Sequence, residues 1–373
     1  MRLSKIRLLL SALLLMGCVV VTTVMLSALT APASAQERSI AVGNLTREFI
    51  LHTPQNAGPG PWPLVIALHG AWQPAGALRS YLDLDAIAER EGFAVAYPKG
   101  INLLWNDGRG SVAGIMPIIH KRDDAAFILG VLDTLVAEGI ADPGRAYLMG
   151  FSNGGFLTAF IACRHAERFA AYATLMMTAP VSYAQSCRPS RPIPILLMNG
   201  TYDPIVPMFG RPTPGARLMS ATESAQFFAR IDGCGEPVQE PAKNARIVRW
   251  NDCAGGSAVA FYQVEGGHQP PASSVSGTDM LASLLLGPRR RGLDAPEEIW
   301  TFFRRFGAWP QTIDGNPGVS VGLPMPAGAA AALNGIVPGA GPVPGSTSAS
   351  AFAPAEVPLP IPSPLRRRPT ALQ

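Results

Sequence analysis

The chain has 373 residues and a formal net charge of +4, a length that suits two domains or one large α/β domain with tails. Hydrophobic residues make up 48% and charged residues only 15%, which excludes a wholly disordered chain. The one long apolar run lies at the N-terminus and the basic residues are scattered, so we exclude a polytopic membrane protein and expect no nucleic-acid partner.

The N-terminal segment has the features of an export signal. Residues 1–7 carry basic side chains, residues 8–30 carry no charge, and an A-x-A cleavage site precedes Gln36. Because this apolar run is long for a signal peptide, an uncleaved membrane anchor is an alternative. Cys18 lies in a sequence similar to a lipoprotein cleavage box, which is a third alternative. Residues 1–35 therefore predict a secreted, periplasmic or extracellular location, with membrane or cell-envelope attachment in the two alternatives.

Residues 36–310 alternate between short apolar runs and amphipathic stretches, and they define the candidate catalytic domain. Apolar runs of this length predict strands, and a period of 3.6 residues predicts helices. We predict strands over 39–42, 47–53, 63–68, 93–97, 145–149, 169–177, 193–198 and 258–264, and helices over 80–91, 124–139, 153–163, 223–231 and 296–306. Because uncharged strands alternate with helices, we expect a mostly parallel central sheet with helices on both faces.

The sequence GFSNG at 150–154 fits the pattern G-x-S-x-G, and it lies between a predicted strand and a predicted helix. This is the setting of a nucleophile elbow, in which small neighbours allow a strained turn to expose the serine hydroxyl. The start of the following helix also favours negative charge that develops nearby. We therefore predict that Ser152 is a catalytic nucleophile.

A serine nucleophile needs a base, and in this class of fold the base is a histidine late in the chain. His268 comes directly after the last predicted strand, behind two glycines. His165 follows Ser152 on or just beyond the same helix and is expected to point away. His69 is expected to brace its own loop. The sequence thus predicts that His268 takes the proton of Ser152 and returns it.

An acid between these two positions must orient the histidine. Asp203 follows the strand predicted over 193–198, so it lies at a strand end. Asp232 at a helix end and Asp252 in a hairpin-like stretch are less well placed. We therefore predict that Asp203 holds the tautomer of His268.

Residues near the triad predict an oxyanion site and a substrate site. The backbone N–H of Asn153 is one expected oxyanion donor, and the loop after the first central strand supplies the second. Ala71 is our first choice in that loop, with Trp72 in reserve. Trp72, Trp105 and Tyr202 are predicted to stack on an aromatic acyl group, with packing in the core or rim as the alternative.

Four cysteines remain after the N-terminal segment, and an even number in an exported protein predicts disulfides. Four cysteines allow three pairings, and free buried thiols are a further alternative. Proximity along the chain favours Cys163 with Cys187 and Cys234 with Cys253.

The ordered motifs of residues 47–306 resemble the secreted α/β-hydrolase esterases known as polyhydroxybutyrate depolymerases and feruloyl esterases (LpqC-like). The resemblance rests on a series that includes LHG at 68–70, GFSNGG at 150–155, NGTYDPIVP at 199–207 and GGH at 266–268. It implies the α/β-hydrolase fold and the same triad. The chain departs from the family after the histidine, where QPP stands at 269–271 in place of an aromatic residue followed by Pro-Gly.

These features predict an exported serine hydrolase that cleaves carboxylic esters through an acyl-enzyme. Candidate substrates are polyhydroxybutyrate-type polyester oligomers, or feruloyl and acetyl esters, as small molecules or polymers. A serine peptidase of the same fold and a non-catalytic surface-binding protein are the alternatives. We find no metal-ligand spacing and no nucleotide-binding motif, so we expect neither a metal nor a cofactor. Residues 311–373 are rich in Pro, Gly and Ala and predict a disordered tail.

Overall fold

The computed structural model describes residues 35–109, 111–112, 116–117, 122–213 and 216–307. The predicted export signal, apart from its last residue, and the predicted tail both lie outside the described residues. In the part of the chain that is described, no helix is long and apolar enough to cross a membrane.

The described residues form strands and helices in alternation. The strands are β1 (Gln36–Val42), β2 (Leu45–His52), β3 (Trp62–Leu68), β4 (Ala94–Pro98), β5 (Ser111–Val112), β6 (Met116–Pro117), β7 (Ala141–Phe151), β8 (Ala171–Leu175), β9 (Ile195–Gly200), β10 (Pro212–Thr213), β11 (Ala216–Arg217), β12 (Val238–Ala242), β13 (Ala245–Trp250) and β14 (Val259–Val264). The helices are α1 (Ala75–Leu82), α2 (Leu84–Glu91), α3 (Asp124–Ala137), α4 (Asn153–Arg164), α5 (Tyr183–Ser186), α6 (Ala221–Ile231), α7 (Gly277–Leu286) and α8 (Ala295–Phe303).

Ten strands form one sheet in the spatial order β1-β2-β4-β3-β7-β8-β9-β14-β13-β12. The six strands from β4 to β14 pair in parallel, and the two strands at each edge pair antiparallel. Parallel strands are buried on both faces, which explains why β3 and β9 read as continuous apolar runs. This order, with helices on both faces, is the α/β-hydrolase fold, and it confirms the fold class predicted from the sequence.

Helices cover both faces of the sheet. On one face, α3, α4 and α6 bury Phe127, Leu157 and Phe228 in a shared core. On the other face, α1, α2 and α8 bury a second core that includes Leu78 and Phe303. Removal of this apolar surface from water holds the helices against the sheet, and the loops at the strand ends are thereby fixed in place.

The structure corrects the helix predicted over 80–91. Asp83 adopts φ 50° and ψ 38°, a left-handed conformation that ends α1 and separates it from α2. Its backbone N–H donates to the Arg79 carbonyl, which closes the last turn of α1. The continuous apolar spacing therefore belongs to two short helices.

Strands β12 and β13 and helix α7 are among the elements that were not predicted. Strand β12 lies at the sheet edge and is mostly exposed, so it lacks the apolar run that marks the central strands. Helix α7 begins with a capping box of Ser276 and Asp279. Its apolar side chains do not belong to either core. Four of them have 69 to 80% of their surface exposed: Met280, Leu281, Leu284 and Leu285.

Candidate active site

Ser152 occupies the turn between β7 and α4, with φ 53° and ψ −116°. This conformation is strained for a residue that carries a side chain. The neighbouring glycines make room for it, since a Cβ on Gly150 would lie 2.2 Å from the Gly154 carbonyl oxygen. A Cβ on Gly154 would lie 2.4 Å from the Leu68 oxygen. The turn therefore requires glycine on both sides of Ser152.

Three side chains from three strand ends meet at this turn. His268 Nε2 lies 2.9 Å from Ser152 Oγ, and His268 Nδ1 lies 2.7 Å from Asp203 Oδ2. Strands β7, β9 and β14 are parallel, so their carboxyl ends share one edge of the sheet, where ligands of α/β sheets bind. The arrangement has the hydrogen-bond geometry of a nucleophile, a base and an orienting acid.

Asp203 fixes the tautomer of His268. Its Oδ1 accepts the backbone N–H groups of Ile205 at 2.8 Å and Val206 at 2.7 Å, which leaves Oδ2 for the imidazole. Because an ionised carboxylate only accepts hydrogen bonds, the proton of the neutral imidazole lies on Nδ1. Nε2 is then the acceptor that faces the Ser152 hydroxyl.

The loop after β3 lines the same cavity as Ser152. The Trp72 N–H donates to the Leu103 carbonyl at 2.9 Å, so it is already engaged. Among the described residues, no acceptor is paired with the Ala71 N–H. Asn153 begins α4, where first-turn N–H groups have no intrahelical carbonyl. Two backbone donors, from Ala71 and Asn153, are thus available beside Ser152.

His69 braces this loop. It is fully buried; its Nδ1 donates to the Gly70 carbonyl at 2.8 Å, and its Nε2 accepts from the Gly100 N–H at 2.9 Å. Burial lowers the pKa of His69 to about 4. The ring is therefore neutral at pH 7 and acts as a fixed bridge between two loops.

The Asn153 side chain ties the serine turn to a buried polar cluster. Its Oδ1 accepts from the Trp105 N–H at 2.8 Å, and its Nδ2 donates to Asp107 Oδ2 at 2.7 Å. The Trp105 indole N–H in turn donates to the His69 carbonyl at 2.8 Å. These bonds hold the loop after β3 against the start of α4. The role of Asp107 was not predicted, because no motif contains it.

Two of the three aromatic residues predicted to bind substrate do not line the cavity. Trp105 has no exposed surface, because it packs under the loop that holds Ala71 and hydrogen-bonds to it. Tyr202 is 64% exposed and lies outside the cavity lining. Trp72 is half exposed and does line the cavity, so it alone of the three is placed to contact a substrate.

A cavity of about 370 Å³ opens at Ser152, a volume within the range of small-molecule sites. Its wall is mostly apolar, with Phe151, Phe156, Ile205, Val206, Leu218 and Leu286. Arg109 and Arg211 also line it. Phe151, Ile205 and Val206 lie within motifs of the sequence, but no local pattern shows that their side chains face the cavity. The other wall residues come from segments without a recognisable motif.

Two disulfides join Cys163 to Cys187 and Cys234 to Cys253, with S–S distances of 1.96 and 1.99 Å. This is the pairing that proximity along the chain favours. Within the described ranges, no group of His, Cys, Asp and Glu side chains is placed to hold a metal ion.

A serine turn between a central strand and a helix, with an acid and a histidine at two later strand ends, is the arrangement typical of the α/β-hydrolase fold. Residues 47–189 match the model of the family described as Esterase PHB depolymerase.

Curated relatives carry esterase names. NocK of Nocardia uniformis subsp. tsuyamanensis, whose name classes it with the esterases, is 30% identical over 58% of this chain and 65% of its own length. Feruloyl esterase B of Piromyces equi is 27% identical over 64% of this chain and 46% of its own length. The chain thus spans less than two thirds of each of these relatives. Among solved structures, acetyl xylan esterase from Aspergillus awamori has a TM-score of 0.45 and 16% identity, covering 61% of this chain and 92% of that one.

Proposed function

We propose that the protein is an exported carboxylic ester hydrolase that acts through an acyl-enzyme on Ser152. The observation that carries the proposal is the pair of hydrogen bonds, 2.9 and 2.7 Å long, from Ser152 through His268 to Asp203. The match to an esterase family and the esterase names of the relatives support the same chemistry.

The reaction follows from these positions. Ser152 Oγ attacks the ester carbonyl carbon while His268 Nε2 takes the hydroxyl proton, and Asp203 stabilises the imidazolium that forms. The N–H groups of Asn153 and Ala71 bind the oxyanion of the tetrahedral intermediate. When the intermediate collapses, the alcohol leaves with the proton held by His268, and the acyl group stays on Ser152. A water molecule then attacks the acyl-enzyme by the same route, which releases the acid and regenerates the serine.

The cavity and the family point to two groups of substrate. The family description names polyhydroxybutyrate depolymerases, and relatives are named feruloyl and acetylxylan esterases. A mostly apolar cavity of about 370 Å³ accommodates a short hydroxyacyl, acetyl or aromatic acyl group. Two disulfides support an oxidising compartment, in agreement with the export signal predicted in residues 1–35.

The test is hydrolysis of p-nitrophenyl butyrate, methyl ferulate and a hydroxybutyrate oligomer by the purified protein and two variants. Ser152→Ala should keep the fold and lose turnover by roughly 10⁴-fold or more, because the nucleophile is removed. Ser186→Ala, an exposed serine of α5, is the matched control and should retain full turnover. Unchanged turnover in Ser152→Ala, or labelling of another residue by a fluorophosphonate probe, would refute the proposal.

A further inference from the structure

Of the residues that the structure describes, two arginines and no acidic residue line the cavity beside Ser152. Arg109 is already neutralised, since its Nε and Nη2 donate to Asp107 at 3.0 and 2.6 Å. Its guanidinium carbon also lies 3.3 Å from the centroid of the Phe156 ring. Arg109 is therefore a fixed part of the cavity wall.

Arg211 differs from Arg109. No described residue forms an ion pair with it, and its Nε is buried without a hydrogen-bond partner. The internal residues outside the description, 110, 113–115, 118–121 and 214–215, include no Asp or Glu in the sequence. Among the described residues, Arg211 thus has no counterion for its guanidinium group at the wall of the cavity.

Arg211 belongs to the segment that carries the acid of the triad. That segment starts at Asp203, whose carboxylate holds the N–H groups of Ile205 and Val206, and both of these residues line the cavity. The Arg211 carbonyl accepts from the N–H of Leu218, a buried residue that also lines it. The backbone of Arg211 is therefore held beside the cavity by its bond to Leu218.

A cation without a counterion in a mostly apolar wall is unfavourable, and a ligand that carries a negative charge supplies the missing partner. A carboxylate is the group that fits a guanidinium best, because two parallel hydrogen bonds can form between them. A phenol ring, an acetyl group or a neutral sugar offers no such charge.

We propose that Arg211 binds a free carboxylate on the substrate, and that the enzyme prefers esters that carry one besides the scissile ester. Short oligomers of hydroxyacids have this chemistry, since each ends in a carboxylate a few bonds from its last ester. This inference rests on the proposed ester hydrolase function, and it selects the hydroxyacid oligomers over the feruloyl and acetyl esters.

The test compares a hydroxybutyrate dimer as the free acid with the same dimer as its methyl ester, following cleavage of the internal ester. In the wild type, kcat/KM should be at least roughly tenfold higher for the free acid, as expected for one desolvated charge-assisted contact. Arg211→Met should remove this preference, and Arg211→Lys should keep part of it. Arg217→Met is the matched control, because Arg217 is exposed on β11 of the same hairpin and outside the cavity; it should retain the preference.

Binding to Ser152→Ala, measured by calorimetry, provides a readout that does not depend on turnover. The free acid should bind at least tenfold more tightly than the methyl ester, and a further Arg211→Met change should abolish the difference. Equal hydrolysis and equal binding of the two dimers would overturn the role of Arg211 while leaving the ester hydrolase intact. If neither dimer nor p-nitrophenyl butyrate is hydrolysed, the proposed function fails, and the calorimetry still decides whether Arg211 binds a carboxylate.

Discussion

At the scale of single residues, the two oxygens of Asp203 have separate tasks. Oδ1 holds the backbone of its own loop through two N–H groups, and Oδ2 holds His268. The first task keeps the carboxylate from rotating, and the second fixes which nitrogen of the histidine carries the proton. A substitution of Asp203 that preserves the shape of the side chain but removes its charge separates the contact with the loop from the contact with His268.

Asp203→Asn is such a change. The amide can still accept from the loop through its oxygen, but it presents an NH₂ group to His268, which favours the wrong tautomer. We expect kcat for ester hydrolysis to fall by about 10³ to 10⁴-fold with little loss of stability. Rate measurements and thermal unfolding check this.

The control for that variant is Asp252→Asn. Asp252 was an alternative acid on sequence grounds, and in the structure it is exposed. It should leave kcat within a factor of two. A large loss in Asp252→Asn together with full activity in Asp203→Asn would reverse the assignment of the acid.

At the scale of elements, helix α4 carries the serine turn at its start and Cys163 in its last turn. The disulfide to Cys187 ties this end of the helix to the segment after α5, across 24 residues of chain. The triad depends on the other end of the helix, which glycine packing and the Asn153 bonds hold. Stability and catalysis are therefore assigned to opposite ends of one helix.

Replacing Cys163 and Cys187 together by serine should lower the free energy of unfolding by about 3 kcal/mol, from loop entropy. At 25 °C kcat should change less than twofold, because the serine turn keeps its contacts. Denaturant unfolding and ester hydrolysis measure the two effects. The Cys234–Cys253 pair, with a separation of 19 residues, gives a comparison of nearly equal size. An unchanged unfolding midpoint, or a collapse of kcat in the folded variant, would contradict this division.

At the scale of the whole molecule, one buried carboxylate links the stability of the domain to pH. Asp232 is fully buried at the end of α6, where it accepts from the Ile193 N–H at 2.8 Å and the Ser257 hydroxyl at 2.5 Å. It thereby joins the segments that lead into β9 and β14. Burial raises the pKa of Asp232 from 3.8 to about 6.

This shift makes the domain less stable as the pH rises. The unfolded chain releases the proton near pH 3.8, but the folded domain retains it until about pH 6. Between these values the unfolded state binds fewer protons, so Asp232 costs up to about 3 kcal/mol above pH 6. In Asp232→Asn this contribution should vanish. Unfolding by urea from pH 4.5 to 7.5 should give curves that converge at low pH for the two proteins, and parallel curves would contradict the prediction.

The parts of this fold that were predictable are those with a local physical cause. A parallel strand buried on both faces must be apolar throughout, and this marked β3, β9 and β14 in the sequence. The serine turn needs glycine at fixed offsets, so its position could be found from the local sequence without knowledge of tertiary contacts. The break at Asp83 was missed because the apolar spacing continues through it, and only the backbone conformation divides the helix.

The cavity wall was not predictable, because it is formed by tertiary contacts and has no local physical cause. Arg211 lines the site because the segment before β10 folds back beside the acid loop, which is a tertiary contact with no local pattern. Trp105 was predicted to face the substrate, with packing in the core or rim as the alternative. The sequence does not decide between them, because an aromatic residue near a site can lie on either side of a loop. The structure places it beneath, as a donor to the His69 carbonyl.

The three residues of the triad are widely separated in the order of synthesis. His268 follows Ser152 by 116 positions, and it reaches the serine only when β14 has paired with β9. A serine without its base is an ordinary alcohol. During synthesis from the N-terminus, the Ser152 hydroxyl therefore has no base until the residues of β14 and His268 have been made. Under the proposed function, hydrolytic capacity arises only when β14, the last strand of the domain, takes its place beside β9.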